Sequence, residues 1–316
     1  MFMFRDVCEF IDTNASKLKY SKRMRNAMSE HPVLSLFKEI SAYEALWDQP
    51  KASFKTLAIL LSNFPQHLAS SLIDQQTIDE YKNFLLPIVK NLPLFGVRIE
   101  GDGMFPERLK DARHPLKVLY YQGDWELTNL PCVSIVGTRN PSPEGIERTK
   151  YLVKRLVKDG FAIVSGLAKG IDTVAHQTAI EMHGNTIGII GTPLNQYYPA
   201  ENHDLQDTIA KNFLLISQVP FAKHSKQDYR QNRFFFPERN ITMSALSKAT
   251  IIVEAGETSG TLVQATAALK QGRKLIILEN NFLNSSLTWP KKFEEQGAFR
   301  AKDYDQIRKY LFSVPS

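Results

Sequence analysis

Past residue 130, four short segments carry the side chains that could do chemistry. The first, Gly137-Thr138-Arg139-Asn140-Pro141-Ser142-Pro143, sets a permanently charged guanidinium beside a helix start, with Ser142 suited to cap that helix and Pro143 to its first position. Free N–H groups at a helix start favour an anion, and a planar guanidinium suits a phosphate. Arg139 therefore reads as a phosphate ligand; the plainer alternative is a surface arginine paired with a carboxylate. The second, Ser165-Gly166-Leu167-Ala168-Lys169-Gly170-Ile171-Asp172, lets the backbone approach a ligand at two glycines and adds the charge of Lys169. Packing alone could explain those glycines. The loop is neither GxGxxG nor a Walker A sequence, and no Gly-Lys dipeptide occurs in the chain, which excludes a P-loop NTPase. Asp172 and His176 lie one helical turn apart, a spacing that suits a hydrogen-bonded structural pair better than a catalytic one. In the third, Glu254-Ala255-Gly256-Glu257-Thr258-Ser259-Gly260-Thr261, Ser259 can cap the next helix while Gly260 and Thr261 offer N–H and hydroxyl groups to an oxyanion. Glu254 and Glu257 oppose an anion there unless their charges turn away or meet a ribose hydroxyl.

The fourth segment, 221–240, mixes Lys223, Lys226, Arg230, Arg233 and Arg239 with Phe221, Tyr229, Phe234, Phe235 and Phe236, against only Asp228 and Glu238. Cations that track a phosphate backbone and rings that stack on bases are what single-stranded nucleic-acid binding requires. Burial in a core or a dimer interface is the competing explanation for the phenylalanines, and at least one of the three in a row is expected to be buried.

These segments need strands and helices to hold them. Short apolar runs predict strands over 132–136, 161–164, 186–190, 213–217, 250–253 and 274–278. Between them, helical spacing predicts helices over 143–158, 171–182, 201–210, 241–246 and 261–270, with 221–240 as an irregular insert. Strands this apolar, each followed by a helix, make an extended doubly wound parallel sheet, an α/β fold of Rossmann type. Ligands bind such sheets outside the carboxyl ends of the strands, where the glycine segments fall. Glycines and prolines crowd 96–131, an entry segment of turns whose best strand is 118–121. Residues 1–95 read as a smaller helical region. Phe54, Leu57, Ala58 and Leu61 share one helix face that Pro65 ends, and a second helical run over 72–89 is expected to stop at Pro87. The basic run Lys17 to Arg25 is a solvated helix face or a nucleic-acid patch. Residues 96–300 then form the main domain and 301–316 a C-terminal helical tail.

Composition narrows the class. With 316 residues, 43% hydrophobic and 23% charged, the chain is neither disordered nor collagen-like nor disulfide-stapled. Its two cysteines, Cys8 and Cys132, form no CxxC site, so a reducing compartment, no metal and no cofactor are expected. The N-terminus lacks the apolar core of a signal peptide and no stretch reaches the ~18 apolar residues of a membrane span, so a cytoplasmic protein is expected. Lysines and arginines against acids number 11 to 10 over 1–95, 5 to 6 over 96–131 and 23 to 17 over 132–316. The whole excess of +6 thus belongs to the last part, through solubility or through a polyanionic partner.

The ordered motifs resemble one family. Ser165 to Asp172 with Ala175-His176 is similar to the SGxAxGID..AH signature of the DNA processing protein A (DprA/Smf) family. Tyr198-Pro199-Ala200-Glu201-Asn202, Phe236-Pro237-Glu238-Arg239-Asn240 and Val253-Glu254-Ala255 with Ser259-Gly260-Thr261-Leu262 match further elements. So do Phe105-Pro106-Glu107-Arg108-Leu109 and Val118 to Gly123, and the resemblance spans 96–300. It implies an extended Rossmann domain that binds single-stranded DNA and loads a RecA-type recombinase, a non-enzymatic homodimeric mediator that acts in natural transformation. By position, Arg139 is similar to the family's GSR arginine, and Arg233 and Phe236 fall where it places a DNA-contacting lysine and aromatic. Lys169, Arg239 and Asn240 fall in the pocket-lining motifs that the resemblance implies, and Gly137, Ser165, Gly166, Gly170, Ser259, Gly260 and Thr261 of the strand-end loops complete the expected DNA- or phosphate-binding set. Departures are the loss of the second arginine and the glycine of RNRIIAGLS at Arg239 to Ser247, and Glu279-Asn280-Asn281 in place of Pro-Gly. The family's C-terminal winged-helix-like domain is not matched, and a paralogue in phage defence is an open reading. The competing class is a LOG-type phosphoribohydrolase, whose PGGxGTxxE motif is echoed at Gly256 to Thr261, although Val263-Gln264 stand where its acid belongs. A nucleotide-sensing module is a third reading.

Overall fold

The computed structural model describes residues 36–64 and 67–313; Cys8, the Lys17 to Arg25 run and the helix stop at Pro65 lie outside the described residues. The chain divides into two compact units, Met1–Val97 with Pro220–Lys226, and Arg98–Val219 with Gln227–Ser316.

The first unit is helical: α1 (Leu36–Asp48), α2 (Phe54–Asn63), α3 (Gln75–Asn91) and the short α7 (Phe221–Lys226). A reciprocal capping box starts α2, in which Ser53 Oγ accepts from the Thr56 N–H (3.2 Å) and Thr56 Oγ1 from the Ser53 N–H (2.8 Å). Phe54, Leu57 and Leu61 are buried, as the spacing predicts. Pro87 does not end α3. The ring removes one backbone hydrogen bond, but Ile78, Leu85 and Val89 form a single buried stripe across it, and Asn91 Nδ2 donates to Pro87 O (2.9 Å). The carboxylate of Glu44, fully buried, accepts the N–H groups of Phe221 (3.0 Å) and Ala222 (2.8 Å). The free amides at the start of α7 thus satisfy a charge that burial alone would not tolerate.

The second unit is built on a nine-stranded sheet, with order β1-β2-β6-β5-β4-β3-β7-β8-β9. The strands are β1 (Gly96–Ile99), β2 (Val118–Gly123), β3 (Cys132–Val136), β4 (Ala162–Ser165), β5 (Thr186–Ile190), β6 (Leu214–Ser217), β7 (Ala249–Ile252), β8 (Lys274–Leu278) and β9 (Phe299–Ala301). From β6 to β9 every neighbouring pair is parallel, and β2 adds antiparallel to β6. This is the expected mostly parallel, Rossmann-like α/β sheet. The chain leaves β3 toward β4 on one side and later returns to β7 on the other, so the switch point lies between the ends of β3 and β7. Crossover helices α4 (Pro143–Lys158), α5 (Ile171–Glu181), α6 (His203–Asn212) and α10 (Thr261–Lys270) cover the strands. The apolar faces of α4 and α5 meet Val133, Ile135, Ile163 and Ile251 in one core.

Two expectations change. The insert is helical rather than irregular: α7 is followed by α8 (Tyr229–Asn232) and α9 (Phe235–Leu246). Phe235, Arg239, Thr242, Met243 and Leu246 form the buried stripe of α9, and its charged and hydroxyl members hide the period from a hydropathy reading. The tail also begins with a strand. After α11 (Glu279–Leu283) and α12 (Trp289–Glu295), the three-residue β9 pairs with β8 before α13 (Tyr304–Phe312). No helix among the described residues is long and apolar enough to cross a membrane.

Candidate nucleic-acid interface

The loop after β3 is clamped from three sides. Ser142 Oγ caps α4 by accepting the Gly145 N–H (3.0 Å) and itself donates to Glu254 (2.7 Å), whose other oxygen accepts the Ser142 N–H (3.0 Å). Thr138 N–H donates to Glu254 O (2.7 Å), and Thr261 Oγ1 donates to Gly137 O (3.3 Å). From below, Gly170, at φ +83°, lies so close that a Cβ there would stand 2.5 Å from Thr138 O and 2.6 Å from Arg139 O. Only glycine allows both the conformation and the approach. The outcome is a fixed loop that presents Arg139, exposed and unpaired among the described residues.

Behind it, the ends of β4 and β5 are tied together by Arg239. Its Nη1 donates to Gly166 O and to Ile189 O (2.6 Å), and its Nε to Asn240 Oδ1 (2.9 Å). Asn240 Nδ2 in turn reaches Gly260 O (3.2 Å) on the loop before α10. Burial pulls the Arg239 pKa down to about 10, and the nearby Asp172 carboxylate opposes that fall, so the guanidinium stays charged at neutral pH. Arg239 is thus a strut, buried to 5% exposure, and not an open phosphate ligand. Asn202 of the Tyr198 to Asn202 motif does similar work, donating to Leu167 O (2.8 Å).

Other residues of the predicted set divide the same way. Ser165 is fully buried with its hydroxyl on Ile135 O (2.7 Å), so it cannot reach a ligand through its side chain. Gly166 N–H is held by Asp172 Oδ2 (3.1 Å). Ser259 is not the cap of α10, which is Gly260; its hydroxyl accepts the Thr261 N–H (3.2 Å). Lys169 is exposed and meets Glu201 at 3.3 Å, a solvent-screened pair that a phosphate can displace. The expected Asp172–His176 pair does not form. Asp172 accepts from Gly166 and Ala168 amides, whereas His176 Nδ1 faces Thr186 Oγ1 (2.7 Å) in full burial, which pushes its pKa down to about 3 and keeps it neutral.

The aromatic run sorts by depth. Phe221 and Phe235 are buried, whereas Phe236 is half-buried, its ring 5.1 Å from Tyr198 and under the Arg239 guanidinium (5.7 Å). Phe234 is 77% exposed and Tyr229 63%. Arg230 and Arg233 are exposed beside them and unpaired among the described residues. Tyr229, Arg230 and Phe234 belong to the mixed basic and aromatic segment 221–240 but not to the set that the resemblance implies. The signal that finds them is the capping box Asp228 to Gln231, which starts α8 at Tyr229, together with the position of Phe234 off the buried stripe of α9.

A model of the family described as DNA recombination-mediator protein A matches residues 97–312. The DNA processing protein DprA of Bacillus subtilis is 36% identical over 195 residues, 61% of this chain and 64% of that protein. Protein Smf of Synechocystis is 37% identical over 184 residues, 57% of this chain and 45% of that protein, so less than two thirds of either relative is spanned. Among solved structures, the DNA processing protein A of Streptococcus pneumoniae superposes with a TM-score of 0.70 at 25% identity, over 87% of this chain and 99% of that one. That of Helicobacter pylori, described for its single-stranded DNA binding mode, gives 0.59 at 30% identity over 69% and 95%. The chain belongs to the DNA recombination-mediator protein A family.

Proposed function

We propose that this chain binds single-stranded DNA without catalysis, on the face that carries Arg139, Lys169, Arg230, Arg233 and the rings of Phe234, Phe236 and Tyr229. The observation that carries the reading is the contrast in charge use. The acids Glu254 and Glu257 after β7 are engaged inside the protein, while Arg139, Arg230 and Arg233 are exposed and unpaired among the described residues. Unpaired cations track phosphates, and exposed rings between them stack on bases. Glu254 and Glu257, one of which a phosphoribohydrolase would need as a free acid, are instead held by Ser142 and Thr288. The Helicobacter pylori relative's single-stranded DNA binding supports the same ligand. The family's description as a recombination mediator supports a further step, in which the bound strand passes to a RecA-type recombinase, and the resemblance supports a cytoplasmic homodimer.

Fluorescence anisotropy with a labelled single strand and its duplex, at two salt concentrations, tests the reading. Salt-sensitive preference for the single strand is expected, and Arg139→Ala should lower the salt slope by about one unit. No binding to the single strand at low salt would refute it.

A further inference from the structure

The basic and aromatic segment of the second unit is reached through the first. The chain leaves the second unit after Val219, contributes Pro220–Lys226 to the first and re-enters the second at Gln227. Within the first unit, α1 holds this short passage at both ends. Glu44 accepts the N–H groups of Phe221 (3.0 Å) and Ala222 (2.8 Å) through its two oxygens. Asp48, one turn further along α1, accepts from Lys226 Nζ and from Tyr81 Oη of α3. Lys226 also donates to Tyr81 Oη (3.4 Å) and lies 5.3 Å from that ring. From Glu44 to Asp48 a helix rises about 6 Å, and from Phe221 to Lys226 about 7.5 Å, so the two carboxylates match the length of α7 running alongside α1 in the same direction.

Apolar burial alone would hold α7 in place, since Phe221 and Ala222 are both buried. A buried carboxylate is costly unless its charge is answered, yet Glu44 is fully buried. What the carboxylate adds is register: apolar contact lets a helix slide, whereas two directed bonds to consecutive amides do not.

Little slack separates this anchor from the DNA face. Gln227 alone stands between Lys226 and Asp228, the cap residue of α8, and Gln227 O accepts from Asn232 Nδ2 (3.4 Å). Asp228 and Gln231 close a reciprocal capping box (2.8 and 3.2 Å), and Asn232 N–H donates to Asp228 O (3.0 Å). The turn of α8 is thus built directly on the residues that follow α7, and Tyr229, Arg230 and Arg233 take their places from it.

We propose that Glu44 and Asp48 are positioning residues for single-strand binding. By locking the register of α7 they set where α8 begins, and so where its cations and ring meet the strand. The inference rests on the binding function proposed above.

Glu44→Gln keeps the shape of the side chain but leaves one oxygen for both amides. It also removes a negative charge, so a bulk electrostatic effect on DNA affinity would be a gain. The expected result is a loss. Single-strand binding in anisotropy titrations should weaken about five- to twentyfold, with a salt slope shallower by about one unit as Arg230 and Arg233 disengage. In hydrogen exchange of the free full chain, amides 228–233 should exchange at least about tenfold faster while those of α10 keep their rates. Adding Arg230→Ala to Glu44→Gln should cost little more, whereas adding Arg139→Ala should multiply the losses. Should Glu44→Gln not fold, Asp48→Asn, which frees the other end of α7 and also removes a negative charge, takes its place in the same measurements. Wild-type affinity and slope in either folded variant, or faster exchange that stops at residue 226, would overturn the proposal. A wild-type chain that does not bind the strand at low salt would refute the binding function and this role with it; faster exchange at 228–233 in that case separates it from a failure of the anchor.

Discussion

Gly170→Ala tests whether the Arg139 loop is held as the structure implies. The backbone at Gly170 has φ +83° and ψ −124°, a region closed to residues with a Cβ. Holding alanine there costs about 1–3 kcal/mol. The added methyl would also stand 2.5 Å from Thr138 O and 2.6 Å from Arg139 O, and those atoms are backbone. Restoring ordinary contact, about 3.4 Å or more, moves the loop by most of an ångström. Thermal unfolding should report the strain as a fall of about 2–12 °C, taking about 2–4 °C per kcal/mol for a unit this size. Binding should report the displacement. If Arg139 contacts phosphate only because Gly170 seats its loop, the single-strand affinity of Gly170→Ala falls toward that of Arg139→Ala, and the double variant is little worse than either. The coupling energy of that cycle should be about 1–2 kcal/mol, above the ~0.3–0.5 kcal/mol scatter of independent sites. Additive losses, or full affinity in a destabilised Gly170→Ala, would refute the argument that Gly170 positions Arg139.

Phe234→Ala should cost about 1–3 kcal/mol of single-strand affinity and leave the salt slope unchanged, since a ring releases no counterion. With Phe234 77% exposed, stability should change by no more than about 0.5 kcal/mol, so a large drop in melting temperature would place the ring in a core. Phe236→Ala should lose stability as well as affinity, because that ring packs on Tyr198 and closes over Gly191; loss of affinity alone would count against this packing. His176 is neutral when folded, with its pKa pushed down to about 3, but takes a proton near pH 6.5 when unfolded. Its contribution is therefore complete above pH 6.5 and falls as pH drops, by about 2 kcal/mol at pH 5. Urea titrations at pH 7 and pH 5 on the wild type and His176→Gln should differ in acid sensitivity by that amount.

The strands from β3 to β8 were legible because each is an apolar run fenced by glycine or a helical pattern, and a parallel strand buried on both faces needs no other signal. β9 was not: Phe299, Arg300 and Ala301 are too few to show a period, and their place depends on pairing with β8, which is tertiary information. The helix boundary at Pro87 failed for a related reason. A proline costs one hydrogen bond, and the buried stripe of Ile78, Leu85 and Val89 outweighs that local penalty. In α9 the period was present but masked, since Arg239 and Thr242 occupy the stripe where a hydropathy reading expects aliphatic side chains.

Arg139 and Arg239 show where sequence reasoning about the site stops. Both are arginines in glycine-rich company at strand ends, and both look like phosphate ligands on residue type alone. Their roles are set by what surrounds the guanidinium. Around Arg239 stand the carbonyls of Gly166 and Ile189, the side chain of Asn240 and the nearby Asp172 charge, so its Nη1 and Nε are held by the protein and it can be buried while charged. Around Arg139 the carbonyls of its own loop face Gly170 and Glu254 is engaged by Ser142, and the guanidinium is exposed and unpaired among the described residues. Removing the buried arginine should thus destabilise the sheet ends, and removing the exposed one should change only binding. Arg239→Met, which keeps bulk and removes the donors, makes the distinction measurable: it should lower the melting temperature and weaken single-strand binding, while Arg139→Met should weaken binding at an unchanged melting temperature. Equal melting temperatures for the two variants would mean that the hydrogen bonds of Arg239 do not hold β4 to β5.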